Sequence, residues 1–271
     1  MSRDRIADCF ARCQSEGRSA LVGYLTAGDP DVTTSEELLL MLASQVDILE
    51  IGMPFSDPMA DGPVIQAASE RALEAGASIH DVFALAAKVN SAYPDTSIVL
   101  MGYANVPYTL GFESFSEQAA KAGVDGVLIV DIPPEEGAIC DKALKKNGLH
   151  RILLLSPTSS DERIKLASEA ASGFIYYVSL TGITGAEMGD TASVEQQVAK
   201  IRSFSELPVC VGFGVKTAEQ AANIAAFSDG VVVGSHFVSQ IPKHCGDGKS
   251  MLIALEETAS AMRKAVERGI T

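Results

Sequence analysis

The sequence has no tryptophan, and aromatic residues make up only 6% of it. A core built without them relies on small and branched side chains, and the many Ala, Gly and Val suit helices pressed closely onto strands. Basic charge is also scarce: 21 Lys and Arg against 35 Asp and Glu leave a formal net charge of −14. No overall positive field is offered to nucleic acid or to an anionic membrane. The deficit constrains anionic ligands too, because without a local Lys/Arg cluster backbone N–H groups would have to hold them. No apolar run approaches the ~18 residues that span a bilayer. The opening stretch MSRDRIADCFARC mixes acids and bases without the apolar segment of a secretion signal, so a soluble protein is expected.

Other absences remove whole chemistries. The five cysteines (Cys9, Cys13, Cys140, Cys210, Cys245) are odd in number and contain no C-x-x-C pair, which argues against a disulfide framework and for a reducing cytoplasm. Cys9 and Cys13 stand four apart and share a helical face; packing is favoured over a reactive or metal-binding use. His80, His150, His236 and His244 lack metal-ligand spacing. Ser235 and His236 are adjacent, yet no G-x-S-x-G surrounds the serine, which speaks against a serine hydrolase. Thr217 stands where a third glycine would complete G-x-G-x-x-G, and no Walker motif occurs. Lys88, Lys121 and Lys200 fall in helical stretches where solvation is the default.

What is present is an alternation. Short runs rich in Val, Ile and Leu at 20–25, 47–52, 97–103, 126–131, 151–156, 174–179, 208–213 and 230–234 read as parallel strands covered on both faces. Stretches of helical periodicity follow them at 34–44, 80–92, 112–122, 134–146, 161–171, 193–205, 217–226 and 249–268. Thr34, Ser160 and Thr217 are candidate N-caps, and Gly123, Gly148 and Gly173 stand where left-handed caps are wanted. Eight strand–helix repeats predict a single (β/α)8 barrel domain over residues 1–271, near the usual length of about 250 residues. Ile6, Cys9, Phe10 and Cys13 follow helical spacing and predict an extra N-terminal helix over one barrel end. Long connections after strands two (53–79) and six (180–192) lie on the face where barrel active sites are built.

Three features there carry chemistry. Glu50 alternates with Leu49 and Ile51 and so points into the barrel, where desolvation raises a carboxyl's pKa toward neutrality; the competing reading is a Glu paired with a buried Lys or Arg. The proline-stiffened loop Pro54-Phe55-Ser56-Asp57-Pro58-Met59-Ala60-Asp61-Gly62-Pro63 offers Asp57 and Asp61, either of which could be a turn-forming Asp. Glycines at 182, 185, 212, 214 and 234 follow strands six to eight, where barrels hold phosphate on backbone amides. Each alone could be a turn; together they favour a phosphorylated ligand.

Residues 49–63, LEIGMPFSDPMADGP, resemble the signature of the tryptophan synthase alpha subunit family. Gly23-Tyr24-Leu25-Thr26-Ala27-Gly28-Asp29-Pro30, Asp131-Ile132-Pro133-Pro134 and Gly212-Phe213-Gly214-Val215 are similar in matching order, over residues 20–240. The resemblance implies a retro-aldol cleavage of indole-3-glycerol phosphate to indole and glyceraldehyde 3-phosphate. Glu50 would move the protons and Asp61 would accept the indole N–H. Phosphate would lie around Gly185, Phe213, Gly214, Gly234 and Ser235. Tyr24, Tyr103, Asp131, Tyr176 and Thr184 would line or support the pocket, with Ile65, Met101 and Leu128 around the indole. It further implies no metal or organic cofactor in this chain, and an alpha2beta2 complex with a beta subunit that carries pyridoxal phosphate. The loops after strands two and six would form interface and lid, although Leu180 stands where an Arg is common. A stand-alone lyase releasing free indole is the alternative, and a catalytically silent barrel that only activates a partner is a third reading.

Overall fold

Strands with apolar residues at nearly every position can be buried on both faces only if something covers each face. In the computed structural model, which describes residues 3–178, 191–212 and 214–268, helices cover one face and the barrel's own interior the other. The strands are β1 (Ala20–Thr26), β2 (Ile48–Gly52), β3 (Ser97–Gly102), β4 (Gly126–Ile129), β5 (His150–Leu155), β6 (Ile175–Val178), β7 (Val209–Gly212) and β8 (Gly230–Val233). They pair in parallel in chain order and close β8 onto β1. Val22, Ile48, Val99, Leu128, Ile152, Tyr176, Cys210 and Val232 fill the interior. The expected extra helix, Arg5–Ser15, is capped by the Asp4 side chain and closes the N-terminal end of the barrel with Ile6, Cys9, Phe10 and Cys13.

The strand starts are tied by a repeated device. Asp47, immediately before β2, donates its N–H to Leu21 O on β1 while its carboxylate accepts the Leu21 N–H at 2.9 Å. Asp125 does the same with Ile98, and Asp229 with Val209. Ser172 repeats the arrangement with Arg151 through its hydroxyl. Each odd strand is thus locked to the next even strand by one short polar side chain, four times around the barrel. Arginines neutralise the acids: Arg12, Arg18 and Arg263 on Asp47, Arg5 on Asp125 and Arg202 on Asp229.

Some local expectations need correction. The second helix, Val32–Ala43, is capped by Asp31, whose carboxylate accepts from Thr34 N; Thr34 lies inside the first turn and donates its hydroxyl to that same cap. The stretch 134–146 is a 3-10 helix, Pro134–Ile139, followed by a short α-helix, Asp141–Lys146. Gly123 and Gly148 take positive φ just past helix ends, as expected, whereas Gly173 does so two residues beyond the cap residue Ala171. Ser160 and Thr217 do cap their helices. The long connection after β2 contains a complete helix, Pro63–Glu74, entered through Pro63 at its first position. Short helices Asn105–Leu110 and Ser235–Val238 follow β3 and β8.

Candidate active site

Strand register decides where Glu50 points. It is paired with Tyr24 on β1 and Val99 on β3, among inward-facing residues, so its side chain enters the barrel rather than the helical shell. Only 1% of it is exposed, and among the described residues its Oε1 has no hydrogen-bond partner. The ion-paired alternative is therefore unsupported. Burial, reinforced by the negative charge of Asp61, pushes the Glu50 carboxyl up to about 8.

Asp61 reaches the same region from the loop after β2. The Tyr103 hydroxyl donates to its Oδ2 at 3.1 Å and accepts the Ala60 N–H at 3.0 Å. The Phe55 ring stacks on Tyr103 with centroids 5.4 Å apart. Gln66, in the first turn of Pro63–Glu74, donates to the Asp61 carbonyl at 2.8 Å. Burial raises the Asp61 carboxyl to about 6, with the Tyr103 hydrogen bond working the other way. Asp61 is thus aimed by a third residue, whereas the Asp57 side chain is exposed and accepts from its neighbour Ser56. Burial raises both carboxyls, Glu50 further than Asp61.

A small cleft opens beside Asp61 at the C-terminal ends of β1 to β4. Tyr24, Asp61, Met101 and Tyr103 line it. Tyr24 bonds Thr26 Oγ1 at 3.2 Å, and its ring passes over Gly52, where a Cβ would lie 2.1 Å from the hydroxyl. Leu128 and Tyr176 sit deeper in the barrel interior, and Ile65 packs against the helical shell from Pro63–Glu74. Asp131 is exposed and accepts the Ala104 N–H at 2.7 Å, joining the loops after β3 and β4. Gly214, which needs its φ of +86°, and Gly234-Ser235, which opens a short helix, lie at the ends of β7 and β8. An added Cβ on Gly234 would be 3.5 Å from Tyr24, which sets the glycine end beside the cleft. Thr184, Gly185 and Phe213 lie outside the described residues, as do Leu180, Gly182 and Gly189.

Sequence reasoning missed Met53, Phe55, Pro58, Ser69, Gly102 and Val130 as cleft walls. Ser69 reaches the cleft on the helix Pro63–Glu74, for which Pro63 at a first helical position is the one sequence signal. At the opposite barrel end, Cys9, Cys13 and Asp47 place ligand-type atoms within 4.8 Å of one another. Arg12, Arg18, Arg263 and the Leu21 N–H already occupy the Asp47 carboxylate, so the cysteines keep their packing role.

An eight-stranded parallel barrel with two buried carboxyls, both raised by burial, near its C-terminal mouth has the architecture of a barrel enzyme. The family model described as tryptophan synthase alpha chain matches residues 10–267. The tryptophan synthase alpha chain of Nitrosococcus oceani is 48% identical over 264 residues, covering 97% of each chain. That of Zymomonas mobilis is 46% identical over 263 residues, covering 97% of this chain and 96% of the relative. The crystal structure of tryptophan synthase subunit alpha from Legionella pneumophila superposes with a TM-score of 0.90 at 36% identity, covering 98% of this chain and 99% of that one. The chain belongs to the tryptophan synthase alpha chain family, the lyases of tryptophan biosynthesis that cleave indole-3-glycerol phosphate.

Proposed function

We propose that Glu50 and Asp61 carry this cleavage. Protonated Glu50 gives its proton to C3 of the indole, and the resulting carboxylate takes the proton of the glycerol hydroxyl next to the scissile bond. As that C–C bond breaks, its electron pair returns to the ring. Indole and glyceraldehyde 3-phosphate leave, and Glu50 is again an acid. Asp61 accepts the indole N–H and stabilises the positive charge that the protonated ring develops. Raising one carboxyl while leaving its neighbour ionised is how a protein runs acid and electrostatic catalysis together near pH 7. The observation that carries the reading is the buried Glu50 carboxyl, whose Oε1 has no hydrogen-bond partner among the described residues, under the influence of the Asp61 charge.

The glycine-rich ends of β7 and β8, with Gly214, Gly234 and Ser235, would hold the phosphate, joined by Gly185 and Phe213. Tyr24, Met101 and Tyr103 would face the indole and the glycerol chain, with Ile65, Leu128, Tyr176, Asp131 and Thr184 lining or supporting that pocket. The chain, read as one domain over 1–271, would need no cofactor of its own and work in the cytoplasm, where its five free cysteines stay reduced.

A beta-type partner, carrying pyridoxal phosphate in an alpha2beta2 assembly, would dock over the same mouth. Met59, Tyr108 and Ile139, 80%, 68% and 51% exposed, follow β2, β3 and β4 and favour a covered face over a stand-alone lyase.

Glu50→Gln tests the chemistry. The amide cannot cycle a proton, so indole release should fall to background while the thermal transition stays cooperative. Turnover within a few-fold of the parent would reject the assignment.

A further inference from the structure

Asp61 can accept the indole N–H only if its loop is held in place, and the loop is tethered to a helix rather than to the barrel alone. Gln66 of Pro63–Glu74 donates to the Asp61 carbonyl at 2.8 Å, in the first turn of that helix. In the last turn, Arg71 reaches the loop after β1 and grips Asp29 with two parallel bonds, Nε to Oδ1 at 2.7 Å and Nη2 to Oδ2 at 2.8 Å. The Asp29 side chain is fully buried, and Arg71 is the one cation paired with it among the described residues. Burial holds the Asp29 carboxyl above its ordinary range despite that cation. A fork of this kind fixes direction as well as charge, which a lysine cannot do.

The surroundings leave the helix little freedom to shift. Gly28, next to Asp29, has φ of +82°, and a Cβ there would lie 2.4 Å from that of Ala77, just past the helix. The Gly28 N–H is held by the Ser35 hydroxyl at 2.9 Å. The same helix packs on β1 and on Ser235–Val238 at the glycine end of the mouth, and Ser69 from its middle lines the cleft. It is a strut with one end on Asp61 and the other on the loop after β1.

We propose that Arg71, through its buried pair with Asp29, and Gln66, through the Asp61 carbonyl, are positioning residues that set Asp61 for catalysis. The inference rests on the reading of Asp61 given above. Neither residue need touch substrate; each acts through the placement of the helix and its loop.

The test uses the full chain and compares Arg71→Lys, Gln66→Leu and Asp61→Asn in cleavage of indole-3-glycerol phosphate, with the Glu50 carboxyl titrated in each by isotope-edited spectroscopy. Arg71→Lys keeps the charge and loses the fork. Both positioning variants should lower kcat about 10-fold with KM changed less than about 3-fold. The Glu50 midpoint should drop in both, because a displaced Asp61 no longer pushes it up; Tyr24, Tyr176 and Cys210, the other titratable groups facing Glu50, are untouched. A residue needed only for stability would lower the melting temperature and leave kcat and the midpoint where they were. If Arg71→Lys fails to fold, Gln66→Leu, which removes only the donor to the Asp61 and Pro58 carbonyls, decides the matter by the same readouts. Parental kcat and an unmoved midpoint in the folded variants would overturn the positioning role, provided Asp61→Asn loses activity. Parental activity in Asp61→Asn would instead reject the catalytic reading of Asp61.

Discussion

Glu50 and Asp61 have the same functional group and different environments, and the difference rests on one phenol. Both are raised by burial, Glu50 also by the Asp61 charge, and among the described residues Asp61 alone has a donor, the Tyr103 hydroxyl, that stabilises its ionised form. The Tyr103 oxygen is itself fixed by the Ala60 N–H, so the donor points at Asp61 rather than into the cleft. Tyr103→Phe keeps the ring and its stacking on Phe55 while removing that donor. The Asp61 midpoint should then climb from about 6 toward that of Glu50. With Asp61 ionised in the proposed reaction, the acid limb of the kcat/KM profile should move to higher pH, by up to about one unit. The rate at pH 6 should fall more than the rate at pH 8. An acid limb that stays in place would show that Tyr103 does not tune Asp61.

At the level of strands and helices, legibility followed burial. All eight strands could be found because a parallel strand covered on both faces must be apolar almost throughout, and no helix-length run competed with them. The expected C-terminal ends run past the observed strands at β3, β4, β5 and β8, by Tyr103, by Val130 and Asp131, by Ser156 and by Gly234. There the chain has already turned toward the mouth while its residues still read as strand. Glu50 was legible because alternation about a short strand decides which face a side chain takes. Asp61 was not separable from Asp57 by spacing, since what distinguishes them is a hydroxyl 42 residues away. The helix Pro63–Glu74 was hidden because its buried positions are the small residues Ala68, Ser69 and Ala72, too weak a stripe to register as periodicity. The wall residues Phe55 and Ser69 were lost with it. Thr34 was mistaken for a cap because Ser, Thr and Asp all cap helices, and only backbone geometry shows which of two neighbours stands at the boundary.

Across the whole molecule the two barrel ends are specialised in opposite ways. At the N-terminal end every acid that stitches strands together is paired with arginine, and a helix seals the opening. At the C-terminal end Glu50 and Asp61 have no such cation among the described residues, and Met59 and Tyr108, on the segments after β2 and β3, stand in solvent. Stability is built at one end and reactivity at the other, the division expected of a barrel enzyme. Covering the apolar rim with a partner would also exclude water from the cleft. Tyr108→Asp, outside the cleft wall, should therefore leave the isolated chain's indole release unchanged and weaken its stimulation by a beta subunit at least about 10-fold, as loss of a large aromatic contact does. Unaltered stimulation across a beta-subunit titration would place the interface elsewhere.

The division of protonation between the two acids is most directly read by titrating the Glu50 carboxyl itself, with carbon-13 NMR or difference infrared spectroscopy and Glu50→Gln for assignment. The expected midpoint is about 8, moving down when Asp61→Asn removes the neighbouring charge. A midpoint in the ordinary range of glutamate, about 4 to 5, would mean that Glu50 is ionised at neutral pH and has no proton to give to the indole ring.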